Sequence, residues 1–166
     1  DGRLNFHKLL EAFQQFFREN SESWLERFDY KEAGPQLLMQ AFLQRIINGG
    51  GRISREYGLG RRRTDLAIEW PLQRLPPSSE SGTEGEGESD WHGPIQRIVI
   101  ELKLLRGSLD SVLAQGLEQT ADYADSFKAD EAHLVIFNRD PDVSWDEKIW
   151  QRPETRGTRT IRVWGA

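Results

Sequence analysis

The sequence predicts a mixed α/β sheet with helices on both faces, behind an N-terminal helical extension, and three observations carry that prediction. Residues 98–105, IVIELKLL, form a nearly unbroken apolar run of the kind found in central strands. Residues 133–137, HLVIF, form a second such run. Between them, residues 109–127 place Leu109, Val112, Leu113, Leu117, Ala121 and Ala124 on or near one helical face. A strand, a crossover helix and another apolar strand imply parallel pairing, with the helix packed on the sheet.

The remaining elements follow in chain order. Residues 4–19 carry Phe6, Leu9, Leu10, Phe13, Phe16 and Phe17 at helical spacing, an aromatic stripe suited to a core or docking helix. Ser23 with Glu26 reads as a capping box, predicting a short second helix that carries Trp24 and Leu25. Pro35 suits a first helical turn, and Gly49, Gly50 and Gly51 suit a stop, which bounds a third helix bearing Leu37, Leu38, Ala41, Phe42, Ile46 and Ile47. Residues 52–58 and 64–70 read as strands joined by a turn at Gly58 and Gly60, since Leu66, Ile68 and Trp70 alternate with Asp65, Ala67 and Glu69. Past the second apolar strand, residues 145–150 suggest a short helix and residues 160–164, TIRVW, a last strand.

Composition narrows the class. A chain of 166 residues suits one domain with a sizeable core, with residues 1–29 as a helical lead-in. It has no cysteine, which excludes disulfides and thiolate metal sites. No apolar run approaches the roughly 20 residues that span a bilayer, and the N-terminus lacks a signal-peptide pattern, so a cytoplasmic location is expected. The chain opens on Asp1 and leads straight into a helical pattern, as a piece of a longer protein would. Its net charge of −5 argues at first against a polyanionic partner. The charge is uneven, however. Residues 74–94 hold one arginine against five carboxylates in a Gly/Ser/Pro-rich, almost apolar-free stretch, the composition of a disordered loop inserted in a hairpin. Residues 52–63 hold five arginines against Glu56 alone, a local basic patch that includes Arg61, Arg62 and Arg63, suited to phosphate contacts.

Two ionisable residues interrupt the run at 98–105. Strand side chains alternate, so Glu101 and Lys103 share a face with Val99 and Leu105. Burying such groups costs several kcal/mol unless they are paired or bound to a metal. If the preceding hairpin aligns its strands, Asp65 converges on Glu101 beside the Lys103 ammonium. Two carboxylates that close repel each other unless a cation lies between them, and an all-oxygen site suits a hard ion such as Mg²⁺ or Mn²⁺. Lys103 could then orient or deprotonate an attacking water, an economical arrangement for phosphodiester hydrolysis.

The ordered pieces RTD (63–65), ELK (101–103) and QTADY (119–123) resemble the PD-(D/E)xK nuclease superfamily, which has a restriction-endonuclease-like fold, and within it the RecB-like branch with its QxxxY helix. Thr64 stands where the namesake proline would be. The segments YKEAGPQLL (30–38), AFLQR (41–45), NGGG (48–51), REYGLG (55–60) and VWG (163–165) also look like the nuclease-like domain at the C-terminus of some bacterial AAA-ATPase-like proteins. The resemblance implies a Mg²⁺- or Mn²⁺-dependent nuclease acting on DNA and coupled to an upstream ATPase domain. It assigns metal ligation to Asp65, Glu101, the Leu102 carbonyl and Glu32. It gives Lys103 the water, and Gln119 and Tyr123 the metal surroundings or the DNA.

Ordinary readings compete with these roles: an exposed ion pair on an edge strand for Glu101 and Lys103, a turn residue for Asp65, helix-edge polar residues for Gln119 and Tyr123, a helix-start carboxylate for Glu32, and a solvated turn for the arginines. His7, His92 and His133 show no ligand spacing and read as structural or exposed. A rival of another class is a catalytically silent or weakly active docking or nucleic-acid-binding module of the ATPase. RNA in place of DNA, endo- or exonucleolytic action, and a monomer or a homodimer all stay open.

Overall fold

The computed structural model describes residues 2–25, 33–47, 50–59, 62–72 and 93–166, of which 21–25, 33, 36, 55–59 and 62–64 are described by their backbone alone. In chain order they form α1 (Phe6–Leu25), α2 (Ala33–Ile47), β1 (Arg52–Leu59), β2 (Arg62–Pro71), β3 (Ile95–Leu104), α3 (Leu109–Phe127), β4 (Glu131–Phe137), α4 (Trp145–Lys148), β5 (Trp150–Arg156) and β6 (Arg159–Gly165). The six strands make one mixed sheet in the order β1-β2-β3-β4-β6-β5. The β1–β2, β2–β3 and β5–β6 pairs are antiparallel, whereas β3–β4 and β4–β6 are parallel. The two apolar strands therefore lie side by side at the centre, as their composition requires.

Strand alternation divides the core between two faces. Leu66, Ile68, Ile98, Ile100, Leu102, Val135, Phe137 and Trp164 face α1 and α2, meeting Phe6, Leu10, Phe13, Phe17, Met39 and Leu43. Ala67, Val99, Leu134, Ile136, Ile161 and Val163 face α3. Each fully buried large apolar side chain contributes about 1.5–3 kcal/mol of transfer free energy. Helices thus cover both faces. Among the described residues no helix is long and apolar enough to cross a membrane.

α3 has clear local causes. The Ser108 side chain accepts a hydrogen bond from the Ser111 amide and caps the start, and Lys128 in the left-handed region, φ 52°, closes the end. Its most buried stripe is Val112, Gly116, Thr120, Ala124 and Phe127, with Leu109, Leu113, Leu117 and Ala121 partly buried beside it. Small residues rather than leucines thus centre the contact. A Cβ on Gly116 would lie 2.7 Å from the Leu134 side chain, so glycine brings the helix close to β4.

Three expectations need correction. The turn between the first two strands does not begin at Gly58, which lies inside β1 and pairs with Arg63. No second helix starts at Ser23, because α1 continues through it to Leu25. No Gly or Pro intervenes to stop it, and Asn or Ser inside a helix costs only some tenths of a kcal/mol. The expected helix at 145–150 ends at Lys148, and Trp150 begins β5, a strand the pattern concealed. β5 reads WQRPETR, without apolar alternation and with Pro153 inside it. Such a sequence is tolerated because β5 is an edge strand, where a missing amide and a polar face do no harm. The predicted loop at 74–94 lies outside the described residues, save for its last two residues, Gly93 and Pro94.

β5 is held where β6 lacks a side chain. Trp150 pairs with Gly165, and a Cβ at Gly165 would fall inside contact distance of the Trp150 indole nitrogen and the Lys148 carbonyl. The Gln14 amide from α1 closes the same corner by donating to the Gly165 carbonyl at 2.6 Å and the Trp150 carbonyl at 3.0 Å. Gly165→Ala should therefore cost about 1–3 kcal/mol by overpacking, read as a lower urea midpoint. An unchanged midpoint would show that the corner yields freely.

Candidate active site

β2 and β3 are in register from Pro71↔Ile95 to Leu66↔Ile100. One step further that register brings Asp65 to Glu101, and the ladder ends there. In place of the next ladder bond, the Leu102 amide donates to Asp65 Oδ2 at 2.8 Å. An acidic side chain thus closes the open end of the strand pair. By alternation Asp65 follows Ala67, and Glu101 and Lys103 follow Val99, so all three lie on the face covered by α3. Leu102 between them buries its side chain in the opposite face.

β3 is a central strand, paired with β2 on one side and β4 on the other, which removes the edge-strand reading of its charges. The Glu101 side chain is 5% exposed and that of Lys103 21%, with Lys103 Nζ 3.0 Å from Glu101 Oε1. The other carboxylate oxygen, Glu101 Oε2, is buried with no hydrogen-bond partner among the described residues. Burial, followed by the negative charge of Asp65, pushes the Glu101 carboxyl up to about 7; Lys103 and a backbone hydrogen bond from Asp65 only partly offset this. Near neutral pH the protein therefore holds a carboxyl poised between its two protonation states.

Such a donor set fits a hard cation. An orphaned carboxylate oxygen and a second carboxylate close enough to raise its pKa are the conditions under which a divalent ion replaces repulsion with attraction. Among the described residues no three acidic, His or Cys side chains gather into a ready-made metal cluster. Two protein carboxylates with the remaining positions left to water and phosphate is the mode typical of Mg²⁺.

Gln119 and Tyr123 lie one turn apart on α3, the helix over this face, both half-buried beside Thr120 and Ala124. Gln119 Oε1 is buried with no hydrogen-bond partner among the described residues. Glu32 and Arg61 lie outside the described residues, and Arg62 and Arg63 are described only as backbone of β2, within a strand rather than a turn. Of the histidines, His133 is buried on the opposite face, where the Trp164 indole donates to its Nδ1 at 3.1 Å. Burial holds its pKa below the usual range despite Glu131 beside it. It is a core residue. His7 sits 3.1 Å from Glu11, and His92 lies outside the described residues.

Two residues that the sequence did not single out follow the carboxyl ends of the strand that carries Glu101 and Lys103 and of its parallel neighbour. An open cleft of about 290 Å³ at the carboxyl ends of β3 and β4 is lined by Leu104, Leu105, Arg106 and Arg139. The available signal was their position as the first basic residues after each of two adjacent parallel strands, the end of an open α/β sheet where ligands bind. A larger open cleft, about 390 Å³, is lined by residues 2–7 and Glu131 at the start of β4, the opposite end of the sheet from Lys103. Comparison with family models, with curated proteins and with solved structures yields no match for the chain.

Proposed function

We propose that this chain is a metal-dependent nuclease of the PD-(D/E)xK kind, hydrolysing phosphodiester bonds of DNA. The observation that carries the reading is the convergence of Asp65, Glu101 and Lys103 on one sheet face, with Glu101 buried, half-satisfied and pushed up to about 7. A fold selected for stability alone would place Val or Ile at positions 101 and 103 of a central strand.

In this reading Asp65 and Glu101 hold Mg²⁺ or Mn²⁺, with Glu32 and the Leu102 carbonyl as further ligands. The bound ion supplies a lowered pKa for water and neutralisation of charge on the phosphoryl oxygens. The residues of this chain do the rest. Asp65 is fixed by the Leu102 amide, so its position is set before substrate arrives. Lys103 would hold the attacking water in line with phosphorus; as the water oxygen bonds to phosphorus the bond to the departing deoxyribose oxygen breaks, and the proton released by the water passes through solvent to that oxygen. Gln119 and Tyr123 line the same face from α3. An upstream AAA-ATPase-like partner and a cytoplasmic setting belong to the same proposal.

One observation favours the docking-module alternative: the Lys103–Glu101 pair, at 3.0 Å, already partly neutralises the buried charge. The two readings separate on incubation with single- and double-stranded DNA and with RNA, in Mg²⁺ or Mn²⁺. Cleavage by the chain and its loss in Asp65→Ala support the nuclease. Cleavage that survives Asp65→Ala, or no uptake of either ion by calorimetry, rejects it.

A further inference from the structure

We infer that the cleft at the carboxyl ends of β3 and β4 is a phosphate subsite, in which Arg106 and Arg139 seat the nucleic-acid backbone beside the reacting phosphodiester. The inference rests on the phosphodiester reading of the neighbouring site but makes a separate claim about binding.

The parallel register places the two arginines together. Leu104 pairs with Phe137, and the pairing is extended by the Leu105 amide, which donates to the Phe137 carbonyl at 2.8 Å. Two residues beyond that pair on each strand come Arg106 and Arg139, and both line the same cleft with Leu104 and Leu105. Gly107, at φ 72°, then turns the chain away toward Ser108 and the start of α3, which leaves the cleft open at the strand ends. Arg106 is exposed and Arg139 half-buried.

Guanidinium groups suit this position better than other cations. Their planar fork matches two phosphate oxygens at once, and the two leucines lower the local dielectric, which strengthens each contact. The spacing also fits a polymer. Lys103 and Arg106 are three residues apart, at most about 10 Å of extended chain, close enough for one nucleic-acid strand to touch both. A strand whose phosphodiester reacts over Glu101 and Lys103 would therefore lay a neighbouring phosphate in the cleft. This supplies local positive charge to a chain whose net charge is −5.

The test is fluorescence anisotropy of a labelled single-stranded DNA oligonucleotide on this chain, without divalent ions, across a salt series. Arg106→Ser should weaken binding about 5- to 10-fold and flatten the log–log salt slope by about 0.7, the value for one phosphate contact on a single strand. Arg106→Ser combined with Arg139→Ser should double the slope change. If the double variant fails to fold, Arg106→Ser and Arg106→Glu at the exposed position carry the test alone. Unchanged affinity and slope in both would overturn the subsite, as would a wild-type chain that binds no oligonucleotide. Competition by inorganic phosphate at concentrations comparable to the oligonucleotide would also overturn it, pointing to a free-anion site. Oligonucleotide binding that depends on Arg106 in a chain that cuts nothing would leave the subsite standing and reject the nuclease.

Discussion

Replacing Lys103 with alanine is expected to lower the rate of phosphodiester cleavage by about 10²- to 10⁴-fold, the usual contribution of a positioned acid–base group. The fold should survive the change. Lys103 is one-fifth exposed, and the charge it leaves behind need not persist: Lys103 is the largest influence pulling the Glu101 pKa down, so its removal drives the carboxyl further toward its neutral form. A buried carboxyl that gains a proton avoids most of the cost of an unpaired buried charge. The variant should therefore melt within a few degrees of the wild type while losing turnover, and single-turnover rates under saturating Mn²⁺ would separate chemistry from metal affinity. Full activity in Lys103→Ala would remove Lys103 from the mechanism. A collapse of the melting transition would instead mark the Lys103–Glu101 pair as a structural element.

Mg²⁺ binding is expected to tighten about tenfold between pH 6 and pH 8, because a ligand with a pKa of about 7 must release its proton to accept the ion. The linked effect on stability has the opposite sign without metal. The folded chain keeps the Glu101 proton up to about pH 7, whereas the unfolded chain releases it near the ordinary value of 4.5. At Glu101 the folded state therefore binds more protons between those limits, and the contribution of this group to stability falls as pH rises through that window. The fall approaches about 3 kcal/mol once Glu101 is fully ionised. Added Mg²⁺ should restore that loss most strongly at pH 8. Calorimetric titration of Mg²⁺ at the two pH values, with melting curves beside it, measures both effects. Glu101→Gln should abolish the pH dependence of Mg²⁺ binding and remove the Glu101 part of the stability slope, leaving the opposite slope of His133, whose lowered pKa makes stability rise with pH toward 6.5. A Glu101→Gln chain that retains the wild-type slope would show that the titrating group lies elsewhere.

Legibility in the sequence varied with the kind of physics involved. The central strands, and α3 with its bounds at Leu109 and Phe127, could be read because apolar runs and an amphipathic segment are short-range signals. β5 could not, since WQRPETR carries no burial pattern and exists as a strand only because β6 offers it an edge and Gly165 gives room for Trp150. The inner face of α3 was legible only in part. Leucines dominate its hydrophobicity, but close approach to β4 selects the stripe through Gly116, Thr120 and Ala124. Arg106 and Arg139 were invisible as a pair because they are 33 residues apart in sequence and become neighbours only through the parallel register of β3 and β4.

What the sequence determined by itself is the chemistry available and its sidedness: an acid and an amine two residues apart on one strand must share a face, whatever lies beside them. Tertiary structure alone decided the rest. The β2–β3 register brought Asp65 to Glu101, the flanking strands and α3 excluded water from Glu101, and that burial, with the Asp65 charge, moved its pKa. Periodicity belongs to one segment, whereas register, desolvation and charge coupling are properties of segments far apart in the chain, and no local pattern encodes them.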